Sequence, residues 1–285
     1  MTIALVLLSA FLHAAWNALL KREADKDRAL IAAVSVGALL ATVVAVVRAL
    51  ATHVTPFPTA ASLGWSLVAG GLEQLYFLGL ARALERGPLG PVYTISRGGA
   101  VVVVYPLSVL LFGERVTTPS LVGSGIVVVG LVLSGLRSAG PTDGRPMVPA
   151  ATAWAAACAV AIAAYHLAYK AALDDGGSAS AVFAASLLFA SALNLARTNA
   201  AGRRVLGTLV RTRLPRILLM GALCGGSFLM LIEALASGGA GYALTLRNIS
   251  VLFALGLAWA IGERPRFGPA LGAALVAAGA VVMTL

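Results

Sequence analysis

What most limits the folds open to this chain is where its charges are not. Apolar runs of about 17–25 residues, the length of a helix that crosses a hydrocarbon core, follow one another from end to end. Asp, Glu, Lys and Arg make up only 11% of the 285 residues, against about 25% in a soluble domain. Within lipid a backbone must satisfy its own hydrogen bonds, which leaves helices or a closed barrel. Barrel strands would read as alternating segments of about 10 residues, and these runs do not alternate. The chain is therefore expected to be an all-α integral membrane protein.

Dividing the sequence at its charge, Pro and Gly clusters gives ten transmembrane helices, at 2–20, 29–50, 62–84, 90–112, 119–136, 149–171, 179–197, 215–236, 240–261 and 267–284. The most loop-like stretch, 137–148, splits them into halves at 1–136 and 149–285. The halves resemble each other. Gly-Glu-Arg at 113–115 returns at 262–264, and Gly123 falls on Gly272. Arg97 falls on Arg247, His13 on His166, and Trp16 on Tyr169. These matches keep their order across the first, fourth and fifth helices of each half. Five is an odd number, so the second half must enter the membrane upside down, which makes two inverted five-helix repeats.

Orientation follows from the basic residues. Setting aside Arg97 and Arg247, they crowd into loops after odd-numbered helices, and only Arg48, Arg115 and Lys170 fall on the other side. The positive-inside rule then puts both termini outside the cytoplasm of a bacterial-type inner membrane. The same placement answers the formal net charge of +10: its partner is the bilayer, not nucleic acid. The basic stretch 197–216 reads either as an amphipathic segment on anionic lipid or as a solvated loop. The first apolar run has no basic residue before it and carries His13, Trp16 and Asn17, which suits a retained helix better than a signal peptide.

An ionisable residue at membrane depth is costly and marks a site by default. Arg97 and Arg247 come first because the repeat pairs them, and inverted repeats bring their mates together near the midplane. A guanidinium stays charged and offers a planar fork suited to a carboxylate or phosphate. Tyr93 lies one turn before Arg97, and Tyr242 precedes Arg247. Against a substrate site stands a structural ion pair with Glu73 or Glu233. Glu73, beside Gln74 and Tyr76, is either a proton or cation carrier or the fixed partner of an arginine. His13 with Trp16 and Asn17, and His166 with Tyr169 and Lys170, read as a site wall or proton relay, or as hydrogen-bonded interhelical histidines. No clustered ligands point to a metal, and no cofactor is expected.

Gly98 and Gly99 read as packing positions. So do the glycines of 123–130 and 268–280, in helices almost free of polar residues. Those helices are expected outside the site, at the scaffold edge or as a homodimer contact. In Gly-Glu-Arg, the glycine ends a helix while Glu and Arg form a salt bridge or cap. Cys158 and Cys224 fall in apolar runs and pack as small hydrophobes.

Ten helices in two inverted halves, with Gly-Glu-Arg after the fourth and ninth, resemble the EamA-type branch of the drug/metabolite transporter superfamily. The runs "LHAAWNALLKR" and "GPLGPVYTISRG" resemble a bacterial subgroup of that branch. The resemblance implies a secondary transporter of small metabolites working by alternating access. The arginines and histidines narrow the substrate to an anionic or zwitterionic molecule such as an amino acid or organic acid. No GxxxxGK[ST] run is present, so ATP is not the direct energy source, and a proton or cation gradient is a candidate driver. A membrane enzyme would need a nucleophile or metal cluster, and neither HExxH nor GxSxG occurs. A receptor or assembly subunit is the remaining alternative.

Overall fold

The computed structural model describes residues 2–112, 117–136, 148–237, 247–263, 267–283 and 285. Among these there are eleven helices and no strand. They are α1 (Thr2–Lys21), α2 (Lys26–Thr52), α3 (Ala60–Arg86), α4 (Leu89–Phe112) and α5 (Thr118–Leu136), then α6 (Pro149–Asp174) and α7 (Ala179–Ala196). They continue with α8 (Ala200–Thr212), α9 (Leu214–Ser237), α10 (Ser250–Ala260) and α11 (Phe267–Val282). Glu114, Arg115, Tyr242, Arg264 and most of the 137–148 linker lie outside the described residues.

The boundaries have local causes. Asp25 accepts from the Arg28 amide at 3.0 Å to start α2, and Thr59 accepts from Ser62 at 3.0 Å to start α3. Pro149 opens α6, where its missing N–H costs nothing. Gly262, at φ +92°, ends α10 in a conformation that disfavours other residues.

Five helices are long and apolar enough to cross a membrane: Ala4–Lys21, Lys26–Thr52, Pro149–Asp174, Ala179–Ala196 and Leu214–Ala236. α3 is equally long but carries Glu73, Arg82, Glu85 and Arg86, and the apolar parts of α4, α5, α10 and α11 are shorter. Leu39, Val43, Val46, Val47 and Leu50 form a bare apolar face on α2. Such a face is at home in lipid and a liability in water. The stretch 197–216 is amphipathic, as one of its two readings has it, and its apolar side packs on the protein itself. It contains the helix α8, whose Leu206, Leu209 and Val210 pack on the core while Arg203, Arg204 and Arg211 stay exposed.

The helices pack in matched pairs. α3 lies on α6 as α1 lies on α9, α4 on α6 as α1 on α10, and α3 on α7 as α2 on α9. Three pairs, α2 with α7, α4 with α10 and α5 with α11, stand alone. Exchanging the first five apolar helices for the last five carries this set of contacts onto itself.

Glycine sets the closest approaches. A Cβ at Gly123 would lie 2.5 Å from the Gly279 carbonyl oxygen, and one at Gly130 would lie 2.6 Å from that of Gly272. These glycines of α5 and α11 thus face one another within a single chain and are not free to line a homodimer contact. Gly99 admits Ala159 of α6, and Gly98 admits Val276 of α11.

The basic loops gather at one end of the bundle, tied by acids. Arg197 makes a bidentate pair with Asp27, and Arg213 and Arg216 converge on the buried Glu23. Glu263 stands 3.8 Å from Lys21 and accepts from the Leu89 amide at 2.8 Å, capping α4. Burial pushes its carboxyl above the usual range, while Lys21 and the amides of Leu89 and Gly90 pull it back. Lys21 also donates to the carbonyls of Leu84 and Gly87, so four helix ends meet there. Glu263→Ala should cost about 1 kcal/mol of capping and lower the thermal midpoint. Glu263→Gln keeps an acceptor and should retain most of it. Equal midpoints for wild type and Glu263→Ala would contradict the cap.

Candidate functional site

α1, α4 and the turn leading into α10 converge on His13. One guanidinium nitrogen of Arg97 touches His13 Nε2, and Arg247 Nη2 lies 3.0 Å from His13 Nδ1. Trp16 Nε1 donates to the same Nδ1 at 3.3 Å, and Ser227 Oγ is 3.4 Å away. Arginine only donates, and a neutral imidazole has one accepting nitrogen. His13 can therefore satisfy one arginine and not both. The cluster is short of an acceptor.

No carboxylate makes good the shortfall. Among the described residues neither Arg97 nor Arg247 forms an ion pair with an acid. Glu73 accepts instead from Tyr169 and Ser186, and Glu233 pairs with Arg48 of α2. Among the described contacts, neither arginine is paired with Glu73 or Glu233, the second of the two readings of the sequence. Aromatic faces flank the guanidiniums instead. Phe228 lies 4.5 Å from Arg247 Cζ, and Tyr93 lies 6.0 Å from Arg97 Cζ.

A set of buried polar atoms around this cluster lacks partners. Among the described residues, Arg247 Nε and Nη1, the hydroxyls of Tyr93 and Tyr165, His166 Nε2 and Asn17 Oδ1 are in this position. Buried polar groups in folded proteins are nearly always hydrogen-bonded, so their concentration here points to a polar ligand. Their polarity is mixed. Arg247 asks for acceptors. His166 Nδ1 is 2.7 Å from the Ile162 carbonyl, which fixes the hydrogen on Nδ1 and leaves Nε2 asking for a donor. Asn17 spends its amide nitrogen on the His13 carbonyl at 2.7 Å, so its Oδ1 also asks for a donor.

The residues singled out from the sequence thus divide. Arg97, Arg247, His13, Trp16 and Tyr93 come together, with Asn17 beside them. His166 lies beside Tyr165 with ring centroids 4.4 Å apart and the rings tilted by 34°. Tyr169 belongs to Glu73, and Tyr242 lies outside the described residues. Sequence reasoning passed over Tyr165, Ser186, Ser227 and Phe228. Tyr165 adjoins His166 and could have been found, whereas a serine or phenylalanine inside an apolar run gives no signal.

The model of the EamA-like transporter family matches residues 150–285, which hold α6 to α11 and with them His166, Arg247 and Glu263. The match covers just under half of the chain. That family is part of the drug/metabolite transporter superfamily, so the EamA-like half supplies one of the two arginines and one of the two histidines. No curated protein matches the chain. One crystal structure superposes on it with a TM-score of 0.64 and 18% identity, covering 99% of this chain and 96% of its own. At that identity the likeness is one of fold alone.

Proposed function

We propose that this chain is a secondary transporter that moves a small anionic or zwitterionic metabolite across the membrane by alternating access. Two guanidiniums buried against one histidine, without an acidic partner among the described residues, carry the reading. Charge of that kind at membrane depth is retained for a ligand or pathway. Arg247 presents two free donor nitrogens to a carboxylate, while His166 Nε2 and Asn17 Oδ1 ask for an N–H or O–H donor. A molecule with a carboxylate at one end and a donor at the other fits both, as an amino acid or a hydroxy acid does.

The matched helix contacts support two inverted five-helix halves, 1–136 and 149–285, that rock about this cluster. Ten membrane crossings follow if α8 lies along the surface. The end tied by Lys21, Glu23, Asp27 and Glu263 then faces the cytoplasm. Uptake of radiolabelled amino acids and organic acids by proteoliposomes tests the reading. Saturable uptake of at least one is expected. Binding of a compound without its movement across the bilayer would make the protein a receptor instead.

A further inference from the structure

Glu73 lies at mid-length in α3, where both of its oxygens meet hydroxyls from the EamA-like half. Tyr169 Oη of α6 is 2.6 Å from Oε1, Ser186 Oγ of α7 is 2.7 Å from Oε2, and the two hydroxyls are 2.8 Å apart. The contacts close a ring. An ionised carboxylate brings no hydrogen, so the two hydroxyls fill only two of the three contacts. The third would set lone pairs against each other at hydrogen-bond distance. One added proton completes the ring: the carboxyl donates to Ser186, Ser186 to Tyr169, and Tyr169 back to the carboxyl. Each member then gives one hydrogen and receives one.

The surroundings agree with a neutral acid. Glu73 makes no ion pair among the described residues. The titratable groups facing it are Tyr169 and Tyr165 from α6 and Cys224 from α9, while Tyr76 follows one turn along its own helix. The guanidinium of Arg247 is the cation whose field reaches it. Gly70, one turn before Glu73, lets the α7 backbone press on α3, since a Cβ there would collide with the Ser186 carbonyl oxygen. The sequence therefore builds the short distances the ring needs.

We propose that Glu73, Tyr169 and Ser186 form a proton-binding site that joins α3 to α6 and α7, and that its proton couples to transport. The coupling rests on the transporter reading above; the proton site does not. Loss of the proton to water opens the ring and leaves a carboxylate facing Arg247. The same arginine is then balanced either by Glu73 or by a bound anion, which links proton and substrate reciprocally.

Infrared spectra of the reconstituted protein test the site without any ligand. A protonated-carboxyl C=O band at neutral pH should be lost in Glu73→Gln, whose amide can donate to Ser186 and accept from Tyr169 and so keeps the fold. Ser186→Ala removes the contact that requires the proton and should weaken the band at neutral pH. Identical carboxyl bands in wild type and Glu73→Gln would overturn the site. In proteoliposomes that take up an amino or organic acid, Glu73→Gln should still exchange it but lose its response to a pH gradient. An unchanged response overturns the coupling. If wild type takes up none of these acids, the transporter reading fails while the infrared band still decides the proton site.

Discussion

Arg247→Met should raise the thermal midpoint of the purified protein and at the same time abolish its response to carboxylate metabolites. The two effects have one cause. Arg247 is buried with Nε and Nη1 unpartnered, and its third nitrogen competes with Arg97 and Trp16 for one histidine. Replacing a buried, poorly compensated charge by an apolar side chain of similar length is worth about 1–4 kcal/mol. Methionine also suits the face of Phe228, which now holds the guanidinium. The same change removes the fork that a carboxylate would engage. Truncating one member of a buried charge pair costs about 2–5 kcal/mol, roughly a 30-fold loss of affinity or more. A thermal-shift series with amino and organic acids on wild type and mutant reads both numbers at once. A structural arginine would give the opposite pattern, a lower midpoint with any ligand shift intact. Arg97→Met should behave alike but stabilise less, because Arg97 hydrogen-bonds Tyr76 as well as His13.

How much of this was legible beforehand depends on the range of each interaction. Helices and their order could be read from apolar length, because the bilayer imposes that length on every span. That Arg97 and Arg247 form a pair could be proposed as well, because a duplicated charge in an apolar run has few explanations; that both lie against His13 could not. The helix α8 was harder. Leu206, Leu209 and Val210 mark an apolar face, but with five arginines between 203 and 216 the same stretch reads equally as an amphipathic segment or as a solvated loop. The partner of Glu73 could not be read. Tyr169 stands in the repeat position of Trp16, which suggests a role beside the arginines, yet Trp16 bonds to His13 while Tyr169 bonds to Glu73. At these two positions, matched in the sequence, the side chains have taken different partners. Ser186 gives no sign of its role, since its use depends on Gly70 admitting α7 to α3.

Glycine is also where the largest loss of stability is expected. Gly123→Ala and Gly279→Ala should each cost about 1–3 kcal/mol, the usual range for overpacking, or more because the obstacles are backbone. A Cβ at Gly123 meets the Gly279 carbonyl at 2.5 Å and the Met283 amide at 2.8 Å, and one at Gly279 meets the Gly123 carbonyl at 2.6 Å. The Met283 side chain, also 2.5 Å from the Gly123 Cβ, can swing aside, but these backbone atoms cannot, so α5 and α11 must separate. That separation is shared. Once one methyl has forced the helices apart, the second enters space already opened. The double mutant should therefore lose clearly less than the sum of the two singles, a coupling expected of residues in direct contact. Gly125, where a Cβ meets nothing within 4 Å, serves as the control, and Gly125→Ala should be neutral or slightly stabilising in the helix. Thermal midpoints of the four variants in one detergent give the answer. Additive losses would mean that the two glycines act on different neighbours and that the α5–α11 face is not the contact described here.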